Sequence, residues 1–190
     1  EFDLRLTRDG QLVVLHDDTL ERTTDVEAIY PDRGRAETPG APRHWPLADF
    51  TLAELARLDA GTWFDSRFAG TRLPTFRDTI DALKGRSGLF IELKSPERYP
   101  GIERLILEEL ARHGLDRPGA DPATPVLLQS FTASSLEIFT KELRTPLPVH
   151  FLLGARDAAA WLTPEGLTRL KGMATGFSPE KTILGDPQHA

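Results

Sequence analysis

EFDLRLTRDGQLVVLHDDTLERTT, residues Glu1 to Thr24, is the stretch whose reading decides the fold. It opens in alternation: Phe2, Leu4 and Leu6 are apolar, while Glu1, Asp3, Arg5 and Thr7 are polar. A strand sends successive side chains to opposite faces, so Glu1 and Asp3 share a face with Cα atoms about 6.5 Å apart. Arg8-Asp9-Gly10 is a turn signal, because Asp-Gly suits tight hairpins. A second extended run, Leu12 to Leu15, ends on the polar cluster His16-Asp17-Asp18. Two acids on one strand and a His-Asp-Asp at the end of its partner have the composition of a site.

Downstream, Asp18 to Ala48 is polar and punctuated by Pro31, Gly34, Pro39, Gly40, Pro42 and Pro46. It reads as a long excursion, a lid leaving the first hairpin. Thr51-Leu52-Ala53-Glu54 is a capping box opening a short helix to about Leu58. Trp63, Phe64 and Phe68 then sit on a loop. They either line a mouth that excludes water or pin the excursion onto the body. Thr75…Asp78 caps a helix over Phe76 to Lys84.

From there the pattern is strand, helix, strand. Strands are predicted at Leu89–Leu93, Pro125–Gln129 and Val149–Leu153, with a last short one at Ala174–Ser178. Helices are predicted at Ile102–His113, ended by Gly114, and at Ser134–Leu143, with Ser134…Glu137 as its capping box. One more helix is expected at Ala158–Trp161 or after Thr163-Pro164-Glu165. The tail from Ile183 to Ala190 shows no hydrophobic pattern. Alternation of this kind implies right-handed crossovers and a parallel sheet, hence an α/β fold.

Bulk composition narrows the function. The 190 residues are 39% hydrophobic and 27% charged, ordinary for a globular chain. That length is short of the roughly 250 residues of a complete (β/α)8 barrel. A net charge of -6 argues against sequence-independent nucleic-acid binding and against an anionic membrane surface. With no cysteine there is neither disulfide nor thiolate metal site. No apolar run approaches the ~20 residues of a membrane-spanning helix, so no stable membrane insertion is expected. There is no P-loop, G-x-G-x-x-G or G-x-S-x-G.

In LFIELK, Phe90, Glu92 and Lys94 face one way and Leu89, Ile91 and Leu93 the other. A carboxylate in the middle of an apolar strand is costly unless it is paired or ligates a metal. Two readings stand on the residues alone: Glu1, Asp3 and Glu92 share a hard divalent cation, or they form salt bridges to Arg5 and Lys94. Lys94 has its own pair of readings, a phosphate-oxygen contact or a plain salt bridge to Glu92 or Asp3. His16 has the acid-base range for proton transfer, with Asp17 or Asp18 to orient the imidazole. A lone histidine is more often structural. His113 belongs to a helix end, His44 and His189 to loop and tail, and His150, which begins a strand, to packing. Gln129 and Phe131, in LLQSF, are second-tier substrate contacts.

These motifs carry a resemblance. EFDLRLTRDGQLVVLHDDTLERTT is similar to the signature region of glycerophosphodiester phosphodiesterases, LFIELKSP (Leu89–Pro96) to that family's second acidic motif, and the intervening ADFTLAELARLDAGTWF also fits. The Asp25–Arg35 stretch looks like the secreted or periplasmic branch rather than the short cytosolic one. The resemblance implies a TIM-type (β/α)8 barrel, here partial (about strands two to six), as one domain over 1–190 with an inserted subdomain at about 18–75. It implies Glu1, Asp3 and Glu92 as metal ligands for Ca2+ or Mg2+, His16 as a catalytic acid or base, and Lys94, Gln129 and Phe131 as substrate-binding residues. The implied reaction is hydrolysis of a small-molecule glycerophosphodiester to glycerol 3-phosphate and an alcohol. Two alternatives are a sphingolipid-directed phospholipase D and a fragment that binds metal and phosphodiester without turnover. The family's first strand, with its His-Arg motif, and its last barrel strands have no counterpart here. The chain therefore reads as a fragment, and a further segment or an oligomeric partner is expected to cover the open sheet edges.

Overall fold

A computed structural model describes residues 1–185. In chain order the strands are β1 (Phe2–Leu6), β2 (Leu12–Val14), β3 (Arg35–Ala36), β4 (Arg43–His44), β5 (Leu89–Leu93), β6 (Val126–Ser130), β7 (Val149–Leu153) and β8 (Gly176–Pro179). The helices are α1 (Val26–Ile29), α2 (Leu52–Leu55), α3 (Phe76–Leu83), α4 (Ile102–Arg112), α5 (Ala133–Glu137), α6 (Ala158–Trp161), α7 (Pro164–Lys171) and α8 (Lys181–Leu184). The residues fall into two compact units, Glu1–Asp3 with Ile80 onward, and Leu4–Thr79.

In the first unit, β5, β6, β7 and β8 lie side by side in that order, all parallel, and the start of β1 lies beside β5. Leu89, Ile91, Leu93, Val126, Leu128, Val149, Phe151 and Leu153 are buried. They meet the apolar stripes of the crossover helices: Ile102, Ile106 and Leu110 of α4, Leu136 of α5, and Leu170 of α7 are buried too. Gly114, at φ 67, closes the turn after α4, a backbone position that costs glycine least. This is an α/β fold with a mainly parallel sheet, as a partial (β/α)8 barrel requires.

Three expectations are corrected in this unit. The Ser134…Glu137 capping box does not form: α5 starts at Ala133, and the Ser135 hydroxyl donates instead to the buried Glu103, at 2.6 Å. The helix then widens into a π-helical turn, Ile138–Glu142. Both short segments after β7 are helical, not one of the two, and Thr163 caps α7 by accepting from the Gly166 amide. Ile183 is buried in α8, although the tail shows no hydrophobic pattern.

In the second unit, the rest of β1 pairs antiparallel with β2, Leu4 opposite Val14 and Leu6 opposite Leu12, with Gly10 at φ 74 in the turn. The proline-rich excursion is far from featureless. Val13, Leu20, Val26, Trp45, Leu47, Phe50, Leu55 and Leu58 make a core of their own. β3 and β4 form an antiparallel ribbon, and Gly34 lies so close to the Trp45 ring that a Cβ would meet it at 2.5 Å. The expected capping boxes at Thr51…Glu54 and Thr75…Asp78 are both formed.

The Asp59 carboxylate organises the aromatic loop by accepting from the amides of Gly61 and Thr62, both at 2.8 Å, and of Gly70 at 2.5 Å. These donors hold its carboxyl well below the usual carboxylate range. Trp63 and Phe64 meet edge to face, with Phe68 tilted beyond, and the three are 50%, 70% and 47% exposed. The Arg22 guanidinium lies 5.6 Å from the Trp63 ring centroid and ties this loop to the excursion.

Candidate functional site

Glu1 just before β1, Asp3 in β1 and Glu92 in β5 are the acids gathered in the first unit. One carboxylate oxygen from each of Glu1, Asp3 and Glu92 lies within 4.8 Å of the others. Glu92 is buried, at 6% exposure, while Glu1 stands at the surface. Glu92 and Asp3 each keep a buried carboxylate oxygen, Oε1 and Oδ1, that accepts no aligned hydrogen bond. Lys94 stands over both, with Nζ 2.7 Å from Glu92 Oε1 and 3.4 Å from Asp3 Oδ1: close enough to pair electrostatically, off the hydrogen-bonding axis.

The charges decide how far Lys94 answers the cluster. Three carboxylates and one ammonium leave two negative charges when all are ionised. Burial raises the Glu92 carboxyl above its ordinary value; Lys94 opposes this, and the carboxylates of Asp3 and Glu1 add to it. At Lys94 burial works downward, but Glu92 and Asp3 outweigh it, so the ammonium is raised and stays charged. One dication matches the remaining charge. An all-oxygen donor set with surplus negative charge fits a hard ion such as calcium or magnesium. Arg5, the other salt-bridge candidate, is turned elsewhere.

The chain turns sharply just past Lys94. Ser95 takes φ 46, a left-handed backbone that a serine rarely adopts, and Pro96 begins a 3-10 turn. No pattern in LFIELKSP announces this. The Phe131 ring, 53% exposed, lies with its centroid 5.8 Å from Lys94 Nζ. Gln129 pairs in register with Glu92, so the two share a face of the sheet. His150 takes a packing position: its ring meets Phe90 edge to face, and Nδ1 is 3.3 Å from Ser178 Oγ.

His16 belongs to the second unit. Its side chain is 66% exposed, and Nδ1 is 2.9 Å from Asp17 Oδ1. Of the two expected orienting acids, Asp17 is the one engaged. Arg22 grips Asp17 through Nε, and through Nη2 at 3.0 Å, and holds its carboxyl down to about 2, with the His16 hydrogen bond adding to the effect. Asp18 instead pairs with Arg5. Arg5 is 3% exposed and donates to the carbonyls of Leu15 and His16. Sequence reasoning offered Arg5 as a partner of the acid cluster and passed over Arg22. Their signal was available only in outline: an arginine on a strand whose hairpin partner ends in His-Asp-Asp. His44 pairs with Glu21 from strand β4 rather than from a loop, His113 with Asp81, and His189 lies outside the described residues.

Comparison with known proteins follows the same outline. The sequence model of the glycerophosphoryl diester phosphodiesterase family matches residues 1–178. A glycerophosphodiester phosphodiesterase of Bacillus subtilis is 32% identical over 97% of the chain, which spans 59% of that protein. A probable glycerophosphodiester phosphodiesterase 1 of Mycobacterium tuberculosis is 30% identical over 94% of the chain, which spans 61% of it. Among solved structures, an Oleispira antarctica phosphodiesterase in complex with the product sn-glycerol-3-phosphate superposes with a TM-score of 0.68 at 26% identity. That match covers 94% of this chain and 61% of the other.

Proposed function

The chain belongs to the glycerophosphoryl diester phosphodiesterase family, and from that premise we propose that the protein hydrolyses glycerophosphodiesters to sn-glycerol 3-phosphate and an alcohol. The observation that carries the reading is the gathering of Glu1, Asp3 and Glu92 around a single ammonium, Lys94, which leaves two negative charges unanswered. Binding a neutral ligand would leave that cluster its surplus negative charge. A dication would cancel it.

Glu1, Asp3 and Glu92 would hold the ion, calcium or magnesium, which would supply polarisation of a phosphoryl oxygen and offset developing charge. Lys94 presents a fixed ammonium to a non-bridging oxygen, and its own pairing with Glu92 keeps it aimed. Phe131 offers an apolar wall beside that ammonium. His16 moves the proton. Asp17 occupies Nδ1 and leaves Nε2 free to give or take a proton at the attacking or departing oxygen. The Asp25–Arg35 stretch is the reason to read the protein as secreted or periplasmic.

The test is release of glycerol 3-phosphate from glycerophosphocholine and glycerophosphoethanolamine, with chelator and with calcium or magnesium restored. Product that appears only with the ion, and is lost in Glu92→Gln and His16→Ala, supports the reading. A calcium-dependent thermal shift with no product on any diester would favour a binding module instead.

A further inference from the structure

The register between β5 and β6 runs as far as the Glu92–Gln129 pair, and one buried hydroxyl carries the joint past it. Ser130, the last residue of β6, is fully buried. Neighbours on a strand alternate, so its side chain lies on the face opposite Gln129 and Glu92. A group so placed stands behind the acid cluster and does not touch substrate. Its Oγ donates to the Leu93 carbonyl at 3.0 Å and accepts from the Thr132 amide at 3.1 Å. Each bond holds a peptide plane. The Leu93 carbonyl and the Lys94 amide share one such plane, so the first bond fixes the backbone from which the Lys94 side chain starts. The Thr132 amide shares a plane with the Phe131 carbonyl, so the second fixes the backbone that leaves the Phe131 ring.

A staple is needed at this point because the chain leaves the sheet. Ser95 takes φ 46, a conformation that persists only where the surroundings over-determine it. Farther out, the only printed tie between the two loops is long: Thr132 Oγ1 reaches Glu97 Oε2 at 3.4 Å. Resting on the function proposed above, we infer that Ser130 is a positioning residue for that reaction, which holds Lys94 and the Phe131 ring beside it in place from behind the sheet. The lysine ammonium rides on a flexible four-carbon stem. Glu92 and Asp3 hold its tip, and Ser130 holds its root. Without the staple, the backbone that carries the stem is free to drift, and the ammonium settles on the carboxylates instead of meeting a phosphate oxygen. Glu1, Asp3 and Glu92 all precede the stapled peptide, so cation binding does not depend on it.

The experiment measures binding of calcium, and of glycerol 3-phosphate with calcium present, by calorimetry on wild type and variants. Ser130→Ala is expected to bind glycerol 3-phosphate about tenfold less tightly, the cost of a misplaced charge, with calcium affinity within about twofold of wild type. Ser135→Ala is the control for stability. It also removes a buried hydroxyl from this unit, the one that donates to Glu103, but it touches neither Lys94 nor Phe131. It is expected to lower the melting temperature and leave glycerol 3-phosphate binding within about twofold. In a Lys94→Met background, Ser130→Ala should cost less than about threefold, because a residue that acts through Lys94 then has little left to act on. Wild-type binding by Ser130→Ala, an equal loss in Ser135→Ala, a parallel loss of calcium affinity, or an undiminished effect beside Lys94→Met overturns the inference and leaves the phosphodiesterase reading standing. Failure of the wild type to bind glycerol 3-phosphate overturns both.

Discussion

Arg5 holds His16 by its backbone: Nη2 donates to the His16 carbonyl at 2.6 Å, from a guanidinium that is 3% exposed. The same side chain reaches the Leu15 carbonyl at 3.2 Å and the Asp18 carboxylate. One planar fork therefore fixes three consecutive features of the strand end that bears the imidazole. Arg5→Met would leave the Leu15 and His16 carbonyls without this donor and remove one partner of Asp18. A cost of about 2–4 kcal/mol is expected, since each partly buried group stranded without a partner costs about 1–3 kcal/mol. Chemical denaturation checks this. Arg5→Lys should fall between, because an ammonium cannot reproduce the fork.

Glu92→Gln tests the cation directly. The substitution keeps the shape and removes one charge from a cluster whose surplus is two. Calcium or magnesium affinity, read by calorimetry, should fall at least about tenfold, or 1.4 kcal/mol. Unchanged affinity would mean that the ion, if bound at all, sits elsewhere.

How much of this was legible beforehand depended on the range of the interaction. Local periodicity announced β1, β5, β6 and β7 within a residue or two, because alternation and apolar runs are written in neighbouring positions. The pairing of Glu92 with Glu1 and Asp3 followed from strand parity and the family resemblance. The core of the excursion did not. Leu20, Val26, Trp45 and Leu47 are spread among prolines and glycines, and they meet only through long-range packing that no short window contains. The bond from Ser135 to Glu103 likewise spans 32 residues, beyond any short window. Arg5 was visible as a charge but not as a donor, because its targets are carbonyls ten and eleven residues away.

The aromatic loop should be intolerant of a single methyl group. A Cβ on Gly61 would lie 2.0 Å from the Phe68 carbonyl oxygen, so the two ends of the loop would have to part. Gly61→Ala is expected to destabilise the protein by about 2–4 kcal/mol, a large effect tied here to backbone overlap. It should also expose the Gly61–Gly70 segment to limited proteolysis. The neighbouring Gly70→Ala meets no atom within 4 Å and is opposed only by its φ of 83, so its effect should be smaller, about 1 kcal/mol.

Glu92 and Asp17 should bend the pH profile in opposite directions. The Glu92 carboxyl is raised in the folded protein, chiefly by burial, so the protonated form is favoured there. Its contribution to stability is fully present below the unfolded value, near 4.3, and is lost as pH rises through the raised folded value. Without metal, thermal melting should therefore show a segment in the weakly acidic range where stability declines with rising pH, and Glu92→Gln should flatten that segment. A cation competes with the proton, so calcium affinity should weaken as pH falls through the same window. Asp17 behaves conversely. Arg22 holds its carboxyl at about 2, so its contribution is present above the ordinary carboxylate value and vanishes as pH falls through about 2. Arg22→Ala should leave the Glu92 segment intact and remove only the stronger acid-side support. Melting curves of the two variants from pH 2 to pH 8, with and without calcium, separate these effects; a Glu92→Gln profile parallel to wild type would show that the buried carboxyl titrates as an ordinary one.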